Sequence, residues 1–255
     1  ERDDYEGLIE ALGVFDLPDP AFFEAVEEHL DVDQWLRAFA FASLAGVTDQ
    51  LASGAAHNAQ LYVRPSDGRL LYFPHDLDFF FGSPTQPLIK NGVLNRLLKS
   101  AEYTRRFCGH VYALIQTSYN ADYMAHWGEL AAKMLPEQAI ATYVDFLAAR
   151  AEHVMYDAGD ALTKLVSPVP FLLTSEESTT FSVQGLSVEL TGSAWVDVHS
   201  IAMQGTESPM ALTWLDASTW QATLDLEPGL NTLTLEARGP QGAVVDTLVL
   251  SITVN

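Results

Sequence analysis

Polar residues that could do chemistry are concentrated in two short stretches. "GVTDQLASGAAHNAQLY" carries Asp49, His57 and Asn58, and the apolar run "LYFPHDLDFFFG" carries Asp76 and Asp78. A buried carboxylate without a partner is costly, so the last two need a reason to be there. Carboxylate and amide oxygens suit Mg²⁺, which keeps coordination places open for phosphate oxygens. A separate aspartate, Asp49, could orient or deprotonate a hydroxyl group.

The elements between the two stretches are expected to bring them together. "AQLYV" and "RLLYF" are strand-like, and "RPSDG" between them has strong turn chemistry, which predicts a β-hairpin. In an extended segment Asp76 and Asp78 point to the same side. The sequence therefore predicts a shared cation site at the open end of the hairpin, opposite its turn.

Simpler interpretations exist for most of these residues. Asp49 could cap a turn after Gly46, His57 could be a hydrogen-bonded structural histidine, and Asn58 could satisfy backbone groups of its loop. Asp78 could be a helix N-cap or a turn residue. Zinc is disfavoured because the chain has one cysteine and no histidine pair at ligand spacing nearby. Calcium stays open as an alternative metal, since carboxylate pairs in an acidic chain suit it.

The first two thirds of the chain have helical periodicity. Asp19 is a predicted N-cap with Pro20 at the first helical position, and Asp33 is a predicted cap of the next helix, which Gly46 ends. Further helices are predicted over roughly 91–99, 101–118, 121–134 and 136–157, with Pro136 in a first turn.

The period changes to two near residue 168. The predicted strands are "LSVELTG", "AWVDVHSIAM", "TWQATLDL", "NTLTLEAR" and "DTLVLSITV". Short strands of this kind, separated by Gly, Pro and Asn turns, predict an antiparallel β-sandwich. The fold class is thus α+β followed by all-β, with a helical domain over 1–166 that contains the hairpin and a sandwich over 167–255.

Composition excludes several partners. The net charge is −21 and the pI about 4.4, a field that repels nucleic acid and anionic membranes. No apolar run reaches the length of a membrane span, which argues against membrane insertion. The single cysteine, Cys108, provides no internal disulfide framework. The opening "ERDDYEGLIEAL" is typical of the middle of a longer protein.

Together these residues resemble the CotH family, the spore-coat-type atypical protein kinases. The resemblance lies in Asp49, then "HNAQLY", then "FPHDLDFFFG" with His75 where an aromatic residue is usual, and in "VLNRLLKSAEYTRRF" and "YVDFLAARAEHV" with Arg150. It covers roughly residues 5–160 and is most specific over 47–82.

The resemblance implies protein-kinase-like chemistry with Mg²⁺ and ATP. Asp49 would position the acceptor hydroxyl, Asn58 would lie near the metal, Asp76 would bind it, and Asp78 would be a second ligand. The sequence also departs from the pattern in the groups that would bind the nucleotide phosphates. No lysine precedes Lys90 and no glycine-rich phosphate loop precedes Asp49, so the lobe that covers the nucleotide is expected outside this sequence.

The strand-rich region resembles bacterial immunoglobulin-like modules. In "TWQATLDLEPGLNTLTLEARGPQG", Trp220 is the predicted core anchor, Pro228 and Gly229 the turn, and Asn231 the side chain that bonds the turn backbone. Trp195 and Trp214 are also predicted to be core residues, which favours a spacer over a carbohydrate-binding module. Such modules imply an extracellular or cell-surface location.

Two functions follow from these features. One is part of a secreted or surface CotH-like kinase that acts on a protein hydroxyl and is inactive as this isolated chain. The alternative is a non-catalytic structural or adhesive surface protein that uses a kinase-like scaffold and binds an assembly partner.

Overall fold

A computed structural model describes residues 5–55 and 57–255 of the chain. As predicted, a helical part that contains one hairpin precedes a part made of strands. The elements of the first part are α1 Glu6–Gly13, α2 Asp19–His29, α3 Val32–Leu44, β1 Ala59–Val63, β2 Leu70–Pro74, α4 Gly92–Leu97, α5 Ala101–Thr117, α6 Ala121–Met134, α7 Ile140–Glu152 and α8 Leu162–Leu165. Within the described ranges, no helix is both long and apolar enough to cross a membrane.

The second part consists of two four-stranded sheets, in the orders β4-β10-β9-β6 and β3-β5-β8-β7. Neighbouring strands are antiparallel except β4 and β10, which are parallel. The strands are β3 Leu172–Leu173, β4 Thr180–Val183, β5 Ser187–Ser193, β6 Ser200–Met203, β7 Thr213–Trp214, β8 Thr219–Asp225, β9 Gly229–Arg238 and β10 Val244–Val254.

The helix caps differ from the prediction. Asp31, not Asp33, caps α3, and its side chain accepts a hydrogen bond from the Gln34 backbone N–H at 3.2 Å. Pro18 precedes α2, so Asp19 is its first residue rather than its cap. Both mispredicted aspartates lie in first turns, where the helix dipole favours a carboxylate and where each pairs with basic side chains.

Two other predicted boundaries are wrong. The helix predicted from Pro136 begins at Ile140, because the chain first closes a turn in which the Gln138 N–H donates to Leu135 O at 3.0 Å. The strand predicted from Ala194 begins at Ser200, because the carbonyls before it face a buried arginine instead of another strand.

The turn residues of the sandwich behave as predicted. Trp220 is buried in its core, and Gly229 has a positive φ of 89°. Asn231 Oδ1 accepts a hydrogen bond from the Glu227 N–H at 2.9 Å, and its Nδ2 donates to Glu227 O at 2.8 Å. Trp195, by contrast, packs against the helical core rather than inside the sandwich.

The hairpin depends on α3 for its position. The register pairs Leu61 with Tyr72, and Tyr72 is buried against α3. On the edge of β2 that faces away from β1, the Trp35 Nε1–H donates to Leu70 O at 2.8 Å. The Gln34 amide donates to Tyr72 O at 2.6 Å and accepts from Tyr72 N–H at 2.9 Å. These side chains thus take the place of a third strand.

A buried arginine joins the helical part to the sandwich. The Arg105 guanidinium of α5, only 6% exposed, donates to the carbonyl oxygens of Ala194, Ala217, Trp195 and Val198, each at 2.9 Å. Burial lowers the pKa of Arg105 to about 9, and the four carbonyl oxygens compensate the charge for the lost water. The sandwich is therefore docked on α5.

A second buried arginine fixes the loop that follows the aspartate segment. Arg150 of α7 is fully buried. Its guanidinium donates to Ser43 O at 2.8 Å and to Leu44 O at 3.4 Å, at the end of α3. It also donates to Pro84 O at 3.1 Å. Burial lowers the pKa of Arg150, and the carbonyl oxygens keep its charge solvated. The side chain thus ties α3 to the loop after residue 82.

Replacing Arg105 tests the docking of the sandwich. Arg105→Met leaves four buried carbonyls without a donor, so we expect a loss of at least about 3 kcal/mol in the free energy of unfolding. The matched control is Arg106→Met, which removes partly exposed ion pairs with Glu27 and Glu102 and should cost about 0–1 kcal/mol. Urea denaturation measures both, and equal losses would contradict the role given to Arg105.

Replacing Arg150 tests the tie between α3 and the following loop. Arg150→Lys keeps a charge but loses the planar donor fork, so we expect a loss of about 2–4 kcal/mol. Tyr119→Phe is the control, because it removes a single 2.9 Å hydrogen bond to the same Leu44 carbonyl and should cost about 1 kcal/mol. Thermal and urea unfolding should show a larger loss in the free energy of unfolding for Arg150→Lys than for Tyr119→Phe. The reverse order would contradict the role given to Arg150.

Candidate active site

The hairpin register brings the two polar stretches together. β1 and β2 pair Ala59 with Pro74, which places Asn58 opposite His75. The His75 N–H donates to Asn58 O at 3.0 Å, which extends the ladder by one rung. Asp76 is the next residue, so it lies directly after the open end of the hairpin. This confirms the predicted hairpin and the strand that leads into the aspartates.

The Asp49 side chain is anchored by Asn58, the residue that lies opposite His75. Asn58 Nδ2 donates to Asp49 Oδ2 at 2.9 Å and to the Asp49 carbonyl at 3.1 Å. The other carboxylate oxygen, Asp49 Oδ1, is buried and accepts no hydrogen bond from the described residues. One oxygen is therefore anchored while the other is left with unused acceptor capacity. The interpretation of Asp49 as a simple turn cap does not explain that oxygen.

Backbone strain is concentrated in this block. In the described part of the chain, the non-glycine residues with positive φ are Asn58 (53°), Asp76 (55°) and Phe81 (59°). Asn and Asp tolerate this region, whereas a bulky residue does so at a cost of about 1–2 kcal/mol. The ring of Phe81 stacks on Tyr143, with 5.1 Å between the ring centroids, and makes an edge contact with Phe146, with 5.2 Å between the centroids. These contacts hold Phe81 in this conformation. Strain of this kind is typical of functional sites.

The arrangement of Asp76 and Asp78 differs from the prediction. The strand ends at Pro74, and the positive φ of Asp76 interrupts the extended conformation that would have put both aspartates on one side. Both side chains are exposed. The N-cap alternative for Asp78 is wrong, because the next helix begins at Gly92 and is capped by Asn91.

Two glycines explain why the aspartate segment ends as it does. The Gly82 N–H donates to Gly46 O at 3.3 Å, just after α3. A Cβ on Gly82 would lie 2.9 Å from Thr48 Cγ2 and 3.2 Å from Gly46 O. Gly46 has a φ of 69° and ends α3 as predicted. The segment after Asp78 can therefore lie against the start of the Asp49 loop only because both residues lack side chains.

Sequence reasoning missed Gln50. It is fully buried, and its Nε2 donates to His75 O at 2.8 Å. The residue after Asp49 thus contacts the residue before Asp76. His57, which the sequence offered as a ligand or a structural histidine, is exposed. A buried glutamine gave no signal of its own, because its partner is 25 positions away.

The hairpin base, which is the open end of the hairpin where Asn58 lies opposite His75, carries oxygen atoms that suit a hard cation. Asn58 uses its amide N–H on Asp49, so its side-chain oxygen and the exposed Asp76 carboxylate are available as oxygen ligands. Over 5–55 and 57–255, no three His, Cys, Asp or Glu side chains group closely enough to hold a metal ion. Mg²⁺ does not require such a group, since one or two carboxylates with substrate phosphates and water complete its shell. Asn58 and Asp76 thus offer the types of oxygen that Mg²⁺ accepts.

Comparison with known proteins identifies the family of the helical part. The sequence model of the family described as CotH kinase protein matches residues 1–166. A search of curated proteins finds no match. The family match spans more than half of the 255 residues and includes Asp49, Asn58, Asp76 and Asp78. The chain therefore belongs to the CotH kinase family.

Proposed function

We propose that the hairpin base is the phosphotransfer site of a CotH-type protein kinase, which moves the terminal phosphoryl group of ATP to a protein hydroxyl with Mg²⁺. The observation that carries the proposal is Asp49. One of its oxygens is anchored by Asn58 at 2.9 Å, and the other is buried without a partner in the described structure. A carboxylate held in this way is ready to accept a hydroxyl proton.

Each residue has a separate task in this proposal. Asp49 Oδ1 accepts the proton of the acceptor hydroxyl, while the Asn58 amide keeps the carboxylate from rotating away. Asp76, with the Asn58 side-chain oxygen, would hold Mg²⁺, and Asp78 would be a second ligand or shape the turn. When bound, Mg²⁺ would neutralise charge on the ATP phosphates.

The cation that binds the nucleotide phosphates has to come from another lobe. No lysine precedes Lys90, and the arginines before Asp49 are Arg2 and Arg37. Arg37 is exposed and is paired with Asp33 at 2.8 Å. A chain of net charge −21 repels ATP unless fixed cations and metal oppose the repulsion. We therefore propose that an additional N-terminal segment or a separate polypeptide completes the site, and that residues 1–255 alone are inactive.

Exposed apolar residues beside the site support a covering lobe. On the face of the hairpin away from α3, Tyr62 is 51% exposed and Phe73 43% exposed. An open groove of about 450 Å³ lies beside Leu77, lined also by Phe41, Leu114 and four other residues. Exposed apolar side chains and open apolar grooves are common at interfaces.

One observation favours the alternative function, a structural or adhesive surface protein. Arg105 fixes the sandwich to the kinase-like part instead of leaving it tethered, as a rigid scaffold would require. In both proposals the sandwich is an immunoglobulin-like module, and the protein acts at the cell surface or outside the cell. Phosphoryl transfer distinguishes the two.

Radiolabelled ATP transfer by the full-length protein tests the kinase proposal. Asp49→Asn and Asp76→Ala should each lower the transfer rate by about 10²-fold or more, since each removes a group that acts on the reacting atoms or their metal. Asp225→Ala, an exposed aspartate of the sandwich, is the matched control and should retain the wild-type rate.

The outcomes separate the two functions. Metal-dependent transfer that both site variants lose supports the kinase. No transfer by the wild-type protein, or equal transfer by all variants, would favour the scaffold. Micromolar Mg²⁺-dependent ATP binding by residues 1–255 alone would refute the need for another lobe.

A further inference from the structure

The edge of β2 that faces away from β1 is satisfied by side chains of α3 at Leu70 and Tyr72. Trp35 bonds Leu70 O, and Gln34 bonds both backbone groups of Tyr72. Just past the end of β2, Gln50 Nε2 donates to His75 O at 2.8 Å. His75 is the residue before Asp76, and its own N–H donates to Asn58 O. Gln50 comes from the Asp49 loop, whereas Trp35 and Gln34 come from α3.

Gln50 is itself firmly held. Its backbone N–H donates to Ser53 Oγ at 3.0 Å, and its carbonyl accepts from Ser53 N–H at 2.9 Å and from Ala55 N–H at 3.0 Å. These bonds build the short 3₁₀ turn Leu51–Ser53. The side chain is fully buried. One residue thus has its backbone fixed in the Asp49 loop and its side chain fixed to the residue before Asp76.

The contact requires a donor at this position. A carbonyl accepts but cannot donate, so only the N–H side of the amide can face His75 O. The opposite oxygen, Gln50 Oε1, is buried and has no partner in the described structure. A hydrocarbon of the same size would fill the space without leaving that oxygen unsatisfied. The amide therefore fits this position through its N–H.

We infer that Gln50 is a positioning residue that holds the turn carrying Asp76 against the loop carrying Asp49. Its catalytic significance rests on the proposed function, whereas the mechanical link does not. Asp76 has a strained φ of 55° and an exposed side chain, so it needs such a link to keep its carboxylate at a constant distance from Asp49.

NMR relaxation of the ¹⁵N-labelled chain at pH 5.5 tests the link. In the wild type, the backbone of 75–78 should be rigid, with order parameters near 0.85. Gln50→Met keeps the length but has no donor, so the same residues should fall below about 0.6. Gln50→Glu should recover the wild-type values, because its carboxyl group, protonated in a buried site at this pH, can donate to His75 O.

Gln34→Met is the matched control. It removes the amide that bonds both backbone groups of Tyr72 within β2, so it should loosen the backbone around Tyr72 and leave 75–78 rigid. The inference is overturned if 75–78 is already flexible in the wild type, if Gln50→Met leaves it rigid, or if Gln50→Glu is as flexible as Gln50→Met.

Transfer by the full-length protein separates this inference from the proposed function. Gln50→Met should raise the Mg²⁺ concentration for half-maximal rate about tenfold or more, and Gln50→Glu at pH 5.5 should restore it. An unchanged Mg²⁺ requirement overturns the catalytic significance of Gln50. If the wild type transfers no phosphate while the order parameters behave as expected, the link stands and the proposed kinase function fails.

Discussion

The site depends on how the free edge of β2 is satisfied. A two-stranded hairpin is marginally stable on its own, and β2 is buried against α3 where water cannot serve its backbone groups. Trp35 and Gln34 supply those hydrogen bonds, and Gln50 bonds His75 O just past the end of the strand. Because they fix the position and register of β2, they also fix Asn58 opposite His75. The anchoring of Asp49 by Asn58 follows from that register.

The surrounding elements compensate the strain that this arrangement stores. Positive φ values at Asn58, Asp76 and Phe81 together cost a few kcal/mol at most, since Asn and Asp adopt this region more easily. Hydrogen bonds to a charged group contribute about 1.5–3 kcal/mol each, so the several made by Arg150 exceed that cost even if they are far from additive. Backbone strain is thus confined to the site, and hydrogen bonds from neighbouring elements keep the site in place.

Local chemistry in the sequence predicted much of this structure. "RPSDG" predicted the hairpin, Gly46 the end of α3, and Asn231 the turn of the sandwich, because each acts on its own backbone or near neighbours. Grouping of the aspartates with Asn58 followed from the hairpin. Helix caps were less predictable, since an aspartate in the first turn resembles one at the cap.

Other features were beyond the reach of sequence reasoning. The side of the chain to which Asp76 points depends on a single φ, and that value interrupts the extended geometry from which the expectation was drawn. Gln50 and Arg105 act on carbonyl oxygens 25 and about 90 positions away. Every residue has a backbone carbonyl oxygen, so the residue types in the sequence do not indicate which carbonyl a buried donor will bond.

In the proposed site, Asp76 and Asn58 place a divalent cation beside Asp49. Line broadening by Mn²⁺ in ¹⁵N spectra of the chain, recorded at 150 mM salt to screen the acidic surface, tests it most directly. We expect the amides of residues 58 and 76–78 to broaden first, and we expect Asp76→Ala, but not Asp225→Ala, to abolish this broadening. Broadening that is spread over the acidic surface, or that survives Asp76→Ala, would contradict it.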